Sequence, residues 1–581
     1  MAFRGKHSLA LTTSAVALLL AACAGGGGTA SGDGRVSGDV NTVNTVNTVN
    51  TAKVATGGTA TYSITYPISN WNVLNSAGAT YSVLDISGVL LPSAFMIKPD
   101  HTPVRNETIV TSAEKVGDSP QTIKYTIDPK AVWSDGKPIT ADDFVYTWRA
   151  LDPRECPKCQ ASNTAGYDRI KSVKGSDGGR TVTVVFDKPY VDWQALFSPF
   201  LPAHVAKTYG ATDTAEGLEK SFNEGFAKSV PKFSAGPFRI QEYTSDGSVV
   251  MVRNERWFGP PPNLDKLVFR LITDVAQQPT SLANGEVDVI YPNPQVDIVQ
   301  QVEELPAVRY QVTPGASVHK LWLNLNARAL QEVAVRKAIF QAVRVQDVID
   351  KTIGQFDDTA KPLLSHMFVD GAPGYSDVVS EYDYGVGDVE KAKKTLTDAG
   401  YTGVGSKLAD PDGKAVPPLR IVVQAGDQLR ASEAQLVKAA LAPLGLDVQV
   451  ATVANTIEAV QEGNWAMTVA TVTQSPFSAT SNIPYYLSCP DDETFCRFNL
   501  NNYGNPKVDR LLNEALSATG AEEATKKLQE ADRIVSSDYA ILPLYQNRSF
   551  LAYSAKLGNV RDNSLGFPTY NTEQWGLLGE S

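Results

Sequence analysis

The chain has 581 residues, which is enough for more than one domain at roughly 100–200 residues per domain. Hydrophobic residues make up 43% and charged residues 20%, a globular composition that excludes a fibrous or largely disordered protein. The formal net charge of −11 argues against a nucleic-acid partner, because nucleic-acid-binding proteins present a basic face.

The N-terminus has the pattern of a lipoprotein signal. Arg4 and Lys6 precede the apolar run LALTTSAVALLLAA, which has the length of a secretory signal and is short for a membrane span. The run ends in small residues before Cys23, as in a bacterial lipobox, where the cysteine is lipidated. We predict a signal peptide over residues 1–22 and a lipid anchor at Cys23 that attaches the protein to the outer face of the cell membrane. A plain signal peptide cut near Ala22 is the alternative.

A segment poor in large apolar residues follows, over residues 23–56. It is rich in Gly, Ser, Thr and Asn, and it contains four copies of Val-Asn-Thr from Val40 to Thr51. Such a segment cannot bury enough apolar surface to fold, so it is predicted to be a flexible tether.

From Gly57 onward the pattern is mixed α and β. Alternating β-forming residues predict strands over 59–66, 121–128 and 181–187. A helix is predicted over 388–399, with Asp388 as N-cap and Gly400 just after its end. A strand, a helix and a second strand are predicted over 419–425, 431–445 and 446–453, and this β-α-β order indicates a parallel sheet. Two amphipathic helices, 505–518 and 522–537, then precede an apolar strand over 540–546.

Adjacent acids occur in the stretch VWSDGKPITADDFVYTWR, which runs from Val132 to Arg149. A general acid and base must converge on one substrate atom, but neighbouring residues on a helix point about 100° apart. Thr140 as N-cap with Asp143 three residues later predicts a capping box instead, and Asp142 and Asp143 both suit the positive end of a helix.

The remaining cysteines form two close pairs. Cys156 and Cys159 belong to a CPKC motif, and Cys489 and Cys496 are separated by six residues. In an exported protein two short-loop disulfides are expected from these pairs. A redox or zinc site at CPKC, and a catalytic thiol at Cys156, are the alternatives.

Motifs for catalysis or metal binding are absent from the sequence. His101, His204, His319 and His366 form no HExxH pair, and there is neither a G-x-S-x-G nucleophile elbow nor a Walker A motif. We therefore expect no catalytic residue, no metal site and no cofactor.

Five sequence blocks, in order, resemble the family 5 extracellular solute-binding proteins of ATP-binding-cassette importers, which include oligopeptide- and dipeptide-binding proteins. The blocks are WSDGKPITADDF at 133–144, GPFRIQEY to ANGEVDVI at 236–290, WLNLNARALQEVAVRKAIFQAVRVQDVIDKTIG at 322–354, YDYGVGDVEKAKKTLTDAGY at 382–401, and NPKVDRLLNEAL to ILPLYQ at 505–546. Together they cover nearly the whole chain after Cys23.

This resemblance implies a two-lobed α/β periplasmic-binding-protein-like fold of the large type II variant, which closes on its ligand about a hinge of two crossover segments. Lobe one is expected over residues 57–311, joined by 545–581, and lobe two over 312–544. The resemblance also implies a non-enzymatic, monomeric receptor that captures peptides or peptide-like solutes. Its partners are expected to be the transmembrane permease subunits of an importer.

Ligand-binding residues are expected from the family's pattern at a lobe-one edge, residues 65–72, and in a lobe-two segment after Trp465. The family places an aspartate for the peptide α-amine in the second segment, but no acid lies between Trp465 and Asp491 here. The ligand is therefore a peptide held in another way, a peptide with a blocked amine, or a non-peptide solute such as an oligosaccharide, glycopeptide or metal chelate. The candidate residues are Tyr66, Asn70, Trp71, Trp322, Asn324, Thr473, Gln474, Ser475, Phe477 and Tyr485.

Overall fold

The computed structural model describes residues 52–98, 102–474, 477, 481–489 and 498–579, all of which belong to one unit, Gly34–Ser581. The strands are β1 (Thr59–Ile64), β2 (Phe95–Ile97), β3 (Pro103–Arg105), β4 (Val110–Asp118), β5 (Gln121–Ile127), β6 (Ile170–Ser176), β7 (Thr181–Phe186), β8 (Phe238–Tyr243), β9 (Val249–Arg253), β10 (Lys266–Leu271), β11 (Val289–Ile290), β12 (Val308–Leu323), β13 (Leu419–Gln424), β14 (Val448–Val453), β15 (Met467–Thr473), β16 (Ile541–Ser554), β17 (Leu557–Gly558) and β18 (Gly576–Leu577). The α-helices are α1 (Tyr81–Leu90), α2 (Ala141–Leu151), α3 (Ala203–Thr208), α4 (Ala215–Lys220), α5 (Gln278–Ala283), α6 (Val296–Glu303), α7 (Val333–Ala342), α8 (Val345–Asp350), α9 (Val389–Asp398), α10 (Gln428–Leu441), α11 (Thr456–Gln461), α12 (Pro506–Leu516) and α13 (Ala521–Ser537).

The predicted signal peptide and the lipidation site Cys23 lie outside the described residues, as does most of the predicted tether. The last residues of that segment pack on the body, because Val54 bridges Leu578 and the Ala55 amide donates to the Leu577 carbonyl at 2.7 Å. Within the described part of the chain, none of the helices combines the length and apolar character that a membrane span requires.

A ten-stranded sheet runs through both lobes in the order β14-β13-β15-β12-β16-β11-β1-β10-β9-β8. The strands β13 and β14 pair in parallel, as the β-α-β pattern predicted, with α10 between them in the sequence. By the predicted lobe boundaries, β11, β1, β10, β9 and β8 fall in the first lobe, and β15, β13 and β14 fall in the second. The residue boundaries of the lobes remain a prediction.

The two longest strands of the described residues, β12 and β16, pair antiparallel with each other and lie between β15 and β11 in the sheet order. Their register shifts between Pro314 and Val318, where the chain passes Asn547. At Gly315 a Cβ atom would lie 3.0 Å from the Asn547 carbonyl oxygen, so a larger residue would have to push the backbone of the neighbouring strand away. Sequence analysis placed the last strand over 540–546 only. It extends to Ser554 because the polar residues after Gln546 are buried along with the apolar ones.

A separate four-stranded sheet, β4-β5-β7-β6, packs on α2 in the first lobe. The predicted capping box at the start of α2 is present, and Asp143 is buried in it. Its carboxylate accepts hydrogen bonds from the Thr140 and Ala203 amides at 2.9 and 2.8 Å, and from Trp133 Nε1 at 3.3 Å. Burial raises the pKa of Asp143 to about 6 despite these bonds. Asp143 therefore supports the fold, while Asp142 is exposed.

In the second lobe, N-cap side chains determine where the helices α9 and α10 begin. Asp388 caps α9 through the Lys391 amide at 2.9 Å, and Gly400 follows the helix at φ +85°, as predicted. By contrast, α10 begins at Gln428 rather than at residue 431, because the Asp427 side chain accepts from the Arg430 amide at 3.0 Å. In the first lobe β1 ends at Ile64, two residues before its predicted end, and residues 65–72 form no strand.

The core of the second lobe contains a buried lysine, Lys320 of β12. Its Nζ donates to the His366 carbonyl oxygen at 2.9 Å and to the Tyr486 hydroxyl at 2.8 Å. The same carbonyl oxygen also accepts from Tyr486 and from Gln474 Nε2. Burial lowers the pKa of Lys320 to about 7, although the nearby Asp532 carboxylate opposes the change.

The predicted CPKC disulfide is present, between Cys156 and Cys159. Cys489 is also disulfide-bonded, but its predicted partner Cys496 lies outside the described residues. In this disulfide Cys156 has no free thiol for the zinc or catalytic alternative, whereas a redox-active CxxC pair forms the same bond in its oxidised state.

Candidate functional site

A cavity of about 590 Å³ lies at the register shift between β12 and β16. Its volume is within the range of roughly 300–1,000 Å³ that is typical of small-ligand sites. The wall consists of residues 62–66, 79–82, 84–85, 291–293, 315–317, 547–549, 564–565 and 567, together with Val275 and Thr473. The wall thus combines the end of β1, the start of α1, both crossing strands and the last residue of β15.

Arg548 of β16 is one of the residues that line the cavity. Its Nε donates to the carboxylate of Asp357, and both side chains are buried. Thr359 fixes that carboxylate, with its amide and hydroxyl donating to Oδ1 at 3.0 and 2.5 Å. The contact from Arg548 Nη1 to the Gln546 carbonyl is long, at 3.5 Å, and the guanidinium makes no other side-chain hydrogen bond to the described residues. The guanidinium therefore retains donors for an anionic group of a ligand.

A buried acid, Asp85 of α1, also lines the cavity. Its Oδ1 accepts a hydrogen bond from the Tyr62 hydroxyl at 3.1 Å. Burial raises the pKa of Asp85 well above its usual range, and the Tyr62 bond only partly opposes this. A ligand ammonium beside Asp85 would favour the charged carboxylate, because an opposite charge lowers the pKa of an acid.

Two hydroxyl groups of the cavity wall have no hydrogen-bond partner among the described residues. The Ser63 and Thr80 hydroxyl oxygens are buried, and neither makes a hydrogen bond to the described residues. Buried polar groups are normally hydrogen-bonded, so a pair of unsatisfied hydroxyls in one cavity indicates groups that a polar ligand would satisfy.

The structure brings two of the predicted site residues to the cavity, Tyr66 and Thr473. Asn70 and Trp71 lie outside its wall: Asn70 donates to Asn75 Oδ1 at 3.0 Å, and Trp71 is buried against Tyr243 in an edge-to-face contact. Both therefore help to fold the segment that follows β1.

The other predicted residues of the second lobe lie in its core or beside it. Trp322 is fully buried, with Tyr485 packing on it at 6.2 Å between ring centroids, and Asn324 Nδ2 donates to the Trp465 carbonyl at 3.0 Å. Gln474 is buried and donates to the His366 carbonyl oxygen. Phe477 is half-buried, and Ser475 lies outside the described residues.

Comparison with known proteins identifies the family of this chain. The family model for bacterial extracellular solute-binding proteins, family 5 (Middle), matches residues 107–494. The chain belongs to this family. It is therefore a solute-binding protein of the type that serves ATP-binding-cassette importers, and its family consists of transport receptors.

Family 5 relatives with solved structures share its two-lobed fold. The structure named as the periplasmic EDTA-binding protein EppA is 35% identical, with a TM-score of 0.86, and the match covers 92% of this chain and 99% of that one. The oligopeptide-binding protein AppA from Bacillus subtilis, solved with a nonapeptide, is 19% identical with a TM-score of 0.72. The match covers 90% of this chain and 100% of AppA, and at this identity it supports the fold alone. The oligopeptide-binding protein OppA of Mycobacterium tuberculosis (strain ATCC 25618 / H37Rv) is 27% identical over 563 residues, which cover 94% of this chain and 90% of that protein.

Sequence reasoning missed several wall residues of this family 5 protein, above all Arg548 and Asp85. One signal was present for Arg548, because an arginine stands inside ILPLYQNRSFLAYS, a run otherwise rich in apolar residues. Charged residues are rarely buried unless they are paired, so an arginine in such a strand indicates a partner or a ligand. Asp85 gave no comparable signal, since single acids are common in helices.

Proposed function

We propose that the protein is a non-enzymatic extracytoplasmic receptor, anchored to the membrane through Cys23, that captures short peptides or peptide-like solutes bearing a carboxylate. It delivers them to the permease subunits of an ATP-binding-cassette importer. The observation that carries the ligand assignment is Arg548, which lines the cavity and whose guanidinium has donors left over from its contacts with Asp357 and Gln546 among the described residues. The names of the OppA and AppA relatives agree with a peptide ligand.

An acid for the ligand's α-amine is available on the first-lobe side of the cavity, although the second-lobe segment lacks one. Asp85 lines the cavity, and an ammonium group placed beside it would restore its negative charge. In this proposal Arg548 binds the ligand carboxylate and Asp85 receives its amine, while the hydroxyls of Ser63 and Thr80 bond to its backbone.

A second candidate ligand is an aminopolycarboxylate chelate. The 35% identical relative is named for EDTA binding, and an arginine among the lining residues suits any carboxylate. The two candidates share a carboxylate and differ in net charge, so they can be separated by experiment.

The test is native mass spectrometry of the full-length chain, purified in detergent with its anchor, followed by calorimetric titration. The titrants are tripeptides as free acids, the same tripeptides amidated at the C-terminus, and calcium–EDTA. Binding of the free acids with at least tenfold loss on amidation supports the proposal. Binding of calcium–EDTA with no peptide binding assigns the chelate instead.

The anchor has its own test, which is independent of the ligand. Wild-type protein and a Cys23→Ala variant are expressed in a Gram-positive host and separated into membrane and soluble fractions. The wild type is expected in the membrane fraction and the variant in the medium. A variant that stays with the membrane contradicts lipidation at Cys23.

A further inference from the structure

Three aromatic rings stand together in one part of the cavity wall. The rings of Tyr66 and Tyr81 lie 6.4 Å apart with an interplanar angle of 30°, and Phe567 meets Tyr81 edge to face at 5.8 Å. Tyr66 and Tyr81 are 43% and 49% exposed, although both line the cavity. Large aromatic surface that is left open inside a binding site is surface that a ligand can cover.

The backbone of Phe567 is held in an unfavourable conformation that presents this ring. Its φ and ψ are 59° and 161°, a region that residues other than glycine rarely adopt. The turn is fixed from both sides: Asn563 Oδ1 accepts from the Gly566 amide at 3.0 Å, and the Thr569 hydroxyl donates to the Asp85 carbonyl at 3.0 Å. Strain of this kind persists at binding sites because the surrounding bonds over-determine it.

Tyr66 and Tyr81 are positioned from the other side of the cavity wall. The Tyr66 amide donates to the Ser82 hydroxyl at 2.9 Å, which ties the segment after β1 to the first turn of α1, where Tyr81 begins the helix. The three rings therefore come from three separate segments, and hydrogen bonds within or next to each segment hold it in place.

We propose that Tyr66, Tyr81 and Phe567 form a subsite for an aromatic side chain of the ligand, so that the protein selects short peptides that carry one. This inference rests on the proposed peptide function and deepens it. An aliphatic chelate such as EDTA has no group to place there, and a small aliphatic side chain leaves the rings uncovered. A contact between two aromatic rings is more favourable than its buried area alone predicts, and the difference corresponds to about a 3- to 10-fold gain in affinity.

The test compares two probes of similar size, the free-acid tripeptides Ala-Phe-Ala and Ala-Leu-Ala, by calorimetry on the full-length chain. Wild-type protein should bind the phenylalanine peptide about 3- to 10-fold more tightly. The variants Tyr81→Leu and Phe567→Leu, which keep an apolar group, should reduce this ratio to less than about 2. The matched control is Tyr243→Leu, since Tyr243 is another exposed tyrosine that packs on Trp71 away from the cavity, and it should leave the ratio unchanged.

The outcomes separate this inference from the proposed function. Equal affinity of the two tripeptides for the wild type overturns the aromatic subsite and leaves the peptide function standing. A preference that survives in both Tyr81→Leu and Phe567→Leu also overturns the subsite. Binding of neither tripeptide overturns both proposals. Should Phe567→Leu fail to fold, Tyr81→Leu decides, because Tyr81 is half-exposed and its replacement removes no side-chain hydrogen bond to the described residues.

Discussion

Replacing Arg548 with methionine should weaken ligand binding and destabilise the fold by separate amounts. A charge-assisted hydrogen bond is worth about 1.5–3 kcal/mol, so loss of the carboxylate contact should weaken binding by roughly 10- to 150-fold. The same substitution leaves the buried Asp357 without its cation. Removal of one partner from a buried ion pair lowers the free energy of unfolding by about 3–5 kcal/mol. The two hydrogen bonds that Thr359 donates to Asp357 remain in the variant and should reduce this loss.

The control for Arg548→Met is Asp357→Asn, which removes the opposite charge of the same pair. Asp357→Asn should also destabilise the protein, but it frees the guanidinium and so should leave binding of a free-acid tripeptide unchanged or tighter. Urea denaturation gives the stability of each variant, and calorimetry gives its affinity for the free-acid and amidated peptides. Equal affinity of wild type and Arg548→Met for the free acid would refute the role of Arg548 in carboxylate binding.

Three further predictions concern the scaffold. Burial lowers the pKa of Lys320 to about 7 from 10.5, so the unfolded state binds more protons between these pH values and the free energy of unfolding should rise with pH across that window. Urea titrations at pH 7 and 9 should show a rise of roughly 2 kcal/mol, and Lys320→Met should remove it. Gly315→Val should cost about 1–3 kcal/mol, because its side chain meets the Asn547 backbone, and a wild-type melting temperature would contradict this. Joint replacement of Cys156 and Cys159 by serine should cost about 2 kcal/mol for so short a loop, and a reducing agent should lower the stability of the wild type similarly.

The fold could be predicted well where local signals and packing agree. Asp388 and Gly400 delimit α9 because a capping carboxylate and a left-handed glycine act within one turn of the helix. The parallel pair of β13 and β14 followed from hydrophobic runs on either side of a helical pattern. The length of β16 could not be predicted, since residues after Gln546 are polar and their burial depends on strands distant in sequence.

The cavity was harder to predict because aromatic residues fill cores and binding sites alike. Trp322 has the strand context expected of a ligand contact, yet it is fully buried in the core of the second lobe. Tyr66 was predicted and lines the cavity, whereas Tyr81 and Phe567 were not predicted. Their neighbourhood depends on the tertiary arrangement of three segments, and the conformation of Phe567 leaves no mark in composition or periodicity.

The charges of the cavity discriminate between the two candidate ligands. Arg548 is neutralised by Asp357, and the raised pKa of Asp85 favours its uncharged form, so the described wall is close to neutral when empty. A zwitterionic peptide brings one carboxylate to Arg548 and one ammonium to Asp85 and adds no net charge of its own, so the sum falls by one unit at most, when Asp85 releases its proton. A calcium–EDTA dianion would place two unmatched negative charges in a buried site, which is costly without further cations. We therefore expect calcium–EDTA to fail to displace a bound tripeptide in a competition titration at pH 7. Displacement at comparable concentrations would show that residues other than Arg548 supply positive charge to the ligand.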